Sequence, residues 1–233
     1  MKEKNIVLLH GWGADTQKYE PLKKELKKCG WKVFVPELPG FGVSDPVYAW
    51  DLNDYSKFVL DKSNEFFFGK KFYLFGHSFG GAIALKSAND VDALVLCAPR
   101  GITRTNIFKR LLFLLLAKIG KMFVLFPVIS NVWKKIIYKL AREHDYEKTR
   151  GVMKDVFKNV VNENLRTQVS EVKIPTLILW GSIDKMTPIR GAYYLKSKIK
   201  NSKLIVFDDL GHKLPYEKPA ELAREIDKWE KAL

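Results

Sequence analysis

The chain has 233 residues, 47% of them hydrophobic and 28% charged, with a formal net charge of +14 at pH 7. A chain of this length buries about 70% of the surface its unfolded form exposes, enough for one core without covalent staples. Two widely separated cysteines, Cys29 and Cys97, each inside a segment that reads as regular structure, imply neither a disulfide framework nor a zinc site. Met1 to Asn5 runs straight into a short apolar strand with no charged-then-apolar leader, so the expectation is a cytoplasmic protein.

Asn5 to Leu9 is a continuous apolar run of the kind buried on both faces of a parallel sheet. It ends at His10-Gly11-Trp12-Gly13. Tyr19 to Lys28 has a helical period and Gly30 stops it; Trp31 to Val35 reads as a second strand, followed by the Pro/Gly-rich loop Pro36 to Gly42. Leu52 to Phe66 is helical again. Phe72 to Phe75 is a third strand, and it feeds through Gly76-His77-Ser78-Phe79-Gly80-Gly81 directly into a helix over Phe79 to Ala88. Ala93 to Cys97 and Thr176 to Trp180 are the next strands. A helix is expected to open at Thr187-Pro188 with Thr as cap, Leu204 to Phe207 is a sixth strand, and Pro219 to Ala232 closes as an amphipathic helix. Alternating strands and helices argue a mostly parallel α/β sheet of about six strands with helices on both faces.

Residues 101–170 break that rhythm with helix-like stretches, so residues 1–100 and 171–233 are expected to form the core and 101–170 a helical lid inserted in it. Charge is concentrated there: +2 over residues 1–100, +9 over 101–170 and +3 over 171–233. The longest uncharged stretches, Leu111 to Ala117 and Met122 to Trp133, fall short of the roughly 20 residues a spanning helix needs. A lid apolar toward a pocket and basic toward solvent fits better, with weak interfacial membrane contact as the minor alternative. Basic charge alone, without a binding motif, gives no case for nucleic acid.

Gly-x-Ser-x-Gly between a strand and a helix puts Ser78 on a tight turn at a helix N-terminus, its hydroxyl held out of the fold and orphan N–H groups nearby. A serine nucleophile needs a base and a group to orient that base. Of four histidines, His10 and His77 lie in loops where backbone or packing roles fit, and His144 lies in the basic insertion. His212 follows the last strand, so it emerges at the sheet edge that carries Ser78. Asp184, at the end of the preceding strand, leads as its orienter; the competing reading is a turn or cap aspartate ahead of Thr187-Pro188. Asp208 and Asp209 stand too close to His212 in sequence to face its ring squarely.

His10-Gly11-Trp12-Gly13, Pro39-Gly40-Phe41-Gly42-Val43-Ser44, Gly76 to Gly81, Trp180-Gly181-Ser182-Ile183-Asp184 and Gly211-His212 together resemble the α/β-hydrolase superfamily in its small lidded form, in the family's order Ser, Asp, His and over nearly the whole chain. The resemblance implies Ser78 as nucleophile, His212 as base, Asp184 as its orienter, and the backbone N–H groups of Trp12 and Phe79 as oxyanion hole, with no metal and no cofactor. It implies substrate contacts from Trp12, Phe41 and Phe79. Two departures stand out. The chain begins at what resembles the family's third strand, so the first hairpin is missing, and Glu37 stands where relatives often carry Asp.

A serine nucleophile speaks against the dehalogenase and epoxide-hydrolase branches of the family, which attack with Asp. The preferred reading is a carboxylesterase-like enzyme acting on a small or medium apolar acyl ester. Thioester, lactone and carbon–carbon bond hydrolysis share the same parts and stay open, as does a receptor that senses a small molecule with little turnover. The basic lid adds one further expectation, a substrate borne on an acidic acyl carrier protein, as in the similar esterases that cleave pimeloyl-carrier-protein methyl ester.

Overall fold

The computed structural model describes residues 3–42, 48–102 and 150–233. Six strands, β1 (Lys4–Leu9), β2 (Trp31–Phe34), β3 (Tyr73–His77), β4 (Ala93–Cys97), β5 (Thr176–Gly181) and β6 (Ser202–Phe207), form one sheet in the order β2-β1-β3-β4-β5-β6. Every neighbouring pair is parallel. β2 and β6 form the two edges. The register aligns Leu9 with Gly76, His77 with Cys97, Cys97 with Leu179 and Gly181 with Phe207, so the loops after β1, β3, β4, β5 and β6 leave from one edge.

The apolar runs are continuous because alternate residues serve two cores. Val7, Leu9, Leu74, Leu94, Leu96, Ile178 and Trp180 pack on one face. There they meet α2 (Leu52–Phe67) through Tyr55 and Val59, α3 (Phe79–Lys86) through Ile83, and α6 (Arg190–Lys198) through Leu195. Ile6, Leu8, Phe75, Val95, Leu177 and Leu179 pack on the other, against Leu22 and Leu26 of α1 (Glu20–Lys28) and Leu222, Ile226 and Trp229 of α8 (Pro219–Glu230). Each of these side chains is nearly solvent-free, and a fully buried Leu or Ile contributes about 1.5–3 kcal/mol. The N-terminus of α2 is set by a capping box in which the Asp51 side chain accepts from Asp54 N–H and the Asp54 side chain from Asp51 N–H.

Three local expectations need correction. α3 stops at Lys86, and Ala88–Asp90 forms a 3-10 turn. The helix after β5 begins at Arg190 rather than at Thr187-Pro188, because the Thr187 side chain is engaged elsewhere. A short helix, α7 (Leu214–Glu217), stands between His212 and α8 where sequence reading showed none.

Of the expected lid over 101–170, residues 103–149, and His144 with them, lie outside the described residues. The described part holds α4 (Met153–Asn162) and α5 (Arg166–Glu171), both fixed to the core. Met153, Val156 and Val160 join the first core cluster, Lys86 pairs with Glu163 at 2.5 Å, and Asn159 Nδ2 donates to the Ala49 carbonyl at 3.0 Å. Among the described residues no helix is long and apolar enough to cross a membrane.

Candidate active site

Ser78 sits between β3 and α3 with φ 54° and ψ −109°, in a region that β-carbon-bearing residues seldom occupy. The strained turn is held from several sides. Ser78 N–H donates to the Cys97 carbonyl, its own carbonyl accepts from Ala82 and Arg100 N–H, and Gly80 N–H donates to the His10 carbonyl, all at 3.1 Å. A β-carbon on Gly76 would strike the Gly80 carbonyl and one on Gly80 the Leu9 carbonyl, so both glycines are dictated by the crossing of strand and helix. The spacing Gly-x-Ser-x-Gly is thus a packing requirement that leaves the Ser78 side chain at the C-terminal edge of the sheet.

Asp184 leaves the end of β5 and His212 the end of β6. His212 Nδ1–H donates to Asp184 Oδ2 at 2.7 Å. The carboxylate is otherwise saturated: Oδ1 accepts Met186 N–H at 2.8 Å and Thr187 N–H at 2.9 Å, and Oδ2 also accepts the Thr187 hydroxyl at 2.8 Å. Thr187 is itself held by Trp180, whose Nε1–H donates to its carbonyl at 2.8 Å. Burial by itself would raise the Asp184 pKa; the bonds from His212 and Thr187 overcome it and hold the carboxyl below its ordinary range. Asp184 is therefore both the turn aspartate and the partner of His212. With Nδ1 protonated toward Asp184, the neutral His212 ring has Nε2 as its basic nitrogen.

Of the two remaining expected donors, Phe79 follows Ser78 directly, and Trp12 follows Gly11, where an added β-carbon would stand 3.4 Å from that of Ser78. Neither Trp12 N–H nor Phe79 N–H donates to a backbone carbonyl among the described residues, and Phe79 opens α3, where the first N–H groups have no partner in the helix. The Trp12 ring meets Phe41, Phe79 and Phe157 edge-on, at centroid separations of 4.8, 5.3 and 5.0 Å. Phe157, from α4, is a member of this aromatic cluster that sequence reading did not single out. His10 is fully buried, with Nδ1 2.9 Å from the Gly11 carbonyl, in keeping with a backbone role.

Two more neighbours have partners that the sequence does not name. Thr187 looked like a helix cap, and only the fold shows its hydroxyl on Asp184. His77, 3% exposed, donates from Nε2 to the His212 carbonyl at 2.8 Å, and its ring lies 4.8 Å from that of His212. Burial and then the neighbouring His212 push the His77 imidazole down to about 3, so it is neutral at ordinary pH. Asp184 and His212 thus bond directly, and Ser78 joins their loop through the adjacent His77. Cys97 is buried in β4 and Cys29 half-buried after α1; both are unbonded.

A family model described as serine aminopeptidase, S33, matches residues 2–219. A putative esterase/lipase 2 of Mycoplasma pneumoniae is 30% identical over 235 residues, covering 94% of this chain and 85% of its own. A pimeloyl-[acyl-carrier protein] methyl ester esterase of Legionella pneumophila (strain Paris) is 26% identical over 220 residues, covering 89% and 87%. Among solved structures, an esterase from Exiguobacterium antarcticum superposes with a TM-score of 0.73 at 21% identity, covering 99% of this chain and 92% of its own, a likeness of fold. With the all-parallel sheet and the Gly-x-Ser-x-Gly turn at its edge, these similarities place the chain in the α/β-hydrolase superfamily.

Proposed function

We propose that the chain is a serine hydrolase of carboxylic esters with small or medium apolar acyl groups. The observation that carries this reading is the strained Ser78 turn at the same sheet edge as the His212–Asp184 pair. Ser78 Oγ attacks the ester carbonyl as His212 Nε2 takes its proton, and the carbonyl π electrons move onto oxygen. The oxyanion is held by the N–H groups of Trp12 and Phe79. Collapse of the tetrahedral adduct expels the alcohol, which receives the proton from His212, and leaves Ser78 acylated. Water then repeats the sequence, with His212 again as base, and releases the acid. General base catalysis contributes about 10²–10⁴ in rate and each oxyanion donor about 10²–10³. Asp184 fixes the His212 tautomer throughout.

Trp12, Phe41 and Phe79 flank the reacting carbonyl in this reading, and Phe157 extends that wall. The unbonded cysteines support a cytoplasmic setting. A panel of esters of increasing acyl length, with thioester, lactone and aminoacyl-anilide members, tests the reaction class on wild type and Ser78→Ala. Fastest Ser78-dependent turnover of the esters is expected. Preference for an anilide would favour the aminopeptidase chemistry in the family description, and a single acylation burst without turnover would favour a sensing role.

A second reading concerns the form of the substrate. The +9 charge of residues 101–170 and the similarity to a pimeloyl-carrier-protein methyl ester esterase support an ester presented on an acidic carrier protein. A carrier-bound ester should then show a higher kcat/KM than the free ester at low salt and lose that advantage as salt rises. Equal values at low salt contradict it.

A further inference from the structure

We propose that His77 is a positioning residue for the base, a neutral donor that holds the His212 carbonyl and thereby fixes where the His212 ring points. The proposal rests on the reading of Ser78, His212 and Asp184 as the catalytic set. It starts from a geometric fact: Asp184 grips the His212 ring at Nδ1 alone, 2.7 Å away. A ring held at one atom can still swing about that bond. A second hold on the backbone of the same residue removes the swing, and His77 supplies it through Nε2–H to the His212 carbonyl at 2.8 Å. A carbonyl only accepts, so the proton of His77 must sit on Nε2.

The rest of the His77 environment agrees with that tautomer. Its Nδ1 is left without a proton and faces no strong donor. The Tyr216 hydroxyl of α7 stands 3.5 Å away, too far for a tight bond, and a β-carbon on Gly11 would lie 3.2 Å from this nitrogen. The imidazole also packs between the Tyr216 ring, at a centroid separation of 5.6 Å, and the His212 ring, at 4.8 Å and 41°. His77 thus touches the His10–Gly13 loop, the His212 loop and α7, and it is bonded covalently to Ser78. One side chain ties the nucleophile's turn to the loop of its base. Being uncharged, it also adds no repulsion when His212 gains a proton during the reaction.

A purely space-filling role for His77 makes a different forecast. A phenyl ring would fill the same volume while leaving the His212 carbonyl unpaired, whereas a glutamine carries an amide N–H that can reach a carbonyl. The test uses the full chain and a p-nitrophenyl ester. His77→Phe should lower kcat about 30- to 100-fold with KM within about twofold, since displacing a reacting group by about 1 Å costs on the order of 100-fold. His77→Gln should recover to within about fivefold of wild type, and the rates of fluorophosphonate labelling should follow the same order. Equal losses in the Phe and Gln variants, or losses that vanish once both are assayed well below their melting temperatures, overturn the proposal.

Should the Phe variant fail to fold, imidazole nitrogen-15 spectra of the wild-type protein decide the matter. His77 should appear as the neutral Nε2–H tautomer from about pH 5 to 8, and the opposite tautomer contradicts the bond. Failure of the underlying reading looks different: Ser78→Ala would then retain wild-type turnover whatever His77 does.

Discussion

Acid should destabilise this fold partly through one buried imidazole, and the effect can be isolated. In the unfolded chain His77 takes a proton near pH 6.5; in the native state burial and the neighbouring His212 delay that to about 3. Above pH 6.5 both states are neutral there and His77 contributes nothing to pH dependence. Between those values the unfolded state holds the extra proton, so native stability declines as pH falls, by up to ~1.4 kcal/mol per pH unit. Over about 1.5 units this amounts to ~2 kcal/mol, a large share of a typical folding free energy of about 5–15 kcal/mol. His10, also lowered by burial, acts in the same sense, but it is present in both proteins when wild type is compared with His77→Gln. Asp184 works differently. Its lowered pKa stabilises the native state above the ordinary carboxyl range, and that contribution disappears only as pH falls through the native value. Urea unfolding followed by tryptophan fluorescence between about pH 4.5 and 7.5 gives stability against pH for both proteins. The wild-type curve should fall more steeply below pH 6.5, by up to ~1.4 kcal/mol per unit, whatever constant offset the substitution introduces. Parallel curves refute the reasoning.

Other expectations are equally direct. Thr187→Val removes the hydroxyl that donates to Asp184 Oδ2, a bond to a charged group contributing about 1.5–3 kcal/mol, so kcat should fall about 10- to 100-fold with the protein still folded. Unchanged kcat would show that the two backbone N–H groups and His212 suffice. Phe157→Ala opens a space beside Trp12 and should cost about 3–5 kcal/mol of stability in thermal or urea unfolding. In the same variant the preferred acyl chain of the ester panel should lengthen, and an unmoved preference would remove Phe157 from the acyl wall.

The fold was legible where burial dictates pattern. The runs around Leu8, Phe75, Val95 and Leu179 are continuous because each of these strands faces two cores, and they lie in β1, β3, β4 and β5, the four central strands of the six. Gly76 and Gly80 carried the turn because backbone crossing forbids a β-carbon at either place. What could not be read was any interaction between groups that meet only after folding. Thr187 has the sequence context of a helix cap, and its bond to Asp184 lies within one short turn, yet only the arrival of His212 from β6 makes that turn part of a site. His77 and His212 are 135 residues apart, and no local pattern announces their bond. Phe157 joins Trp12 for the same reason, through tertiary packing of α4.

The measurement that bears most directly on the role of Ser78 is covalent labelling. Wild-type protein and Ser78→Ala, matched for concentration and for melting temperature, are exposed to a fluorophosphonate and read by intact mass. Wild type should gain one phosphonyl group, located on Ser78 by peptide mapping, while Ser78→Ala gains none and loses ester turnover. Undiminished labelling of the Ser78→Ala protein, or wild-type label on another residue, would contradict the assignment of Ser78 as nucleophile.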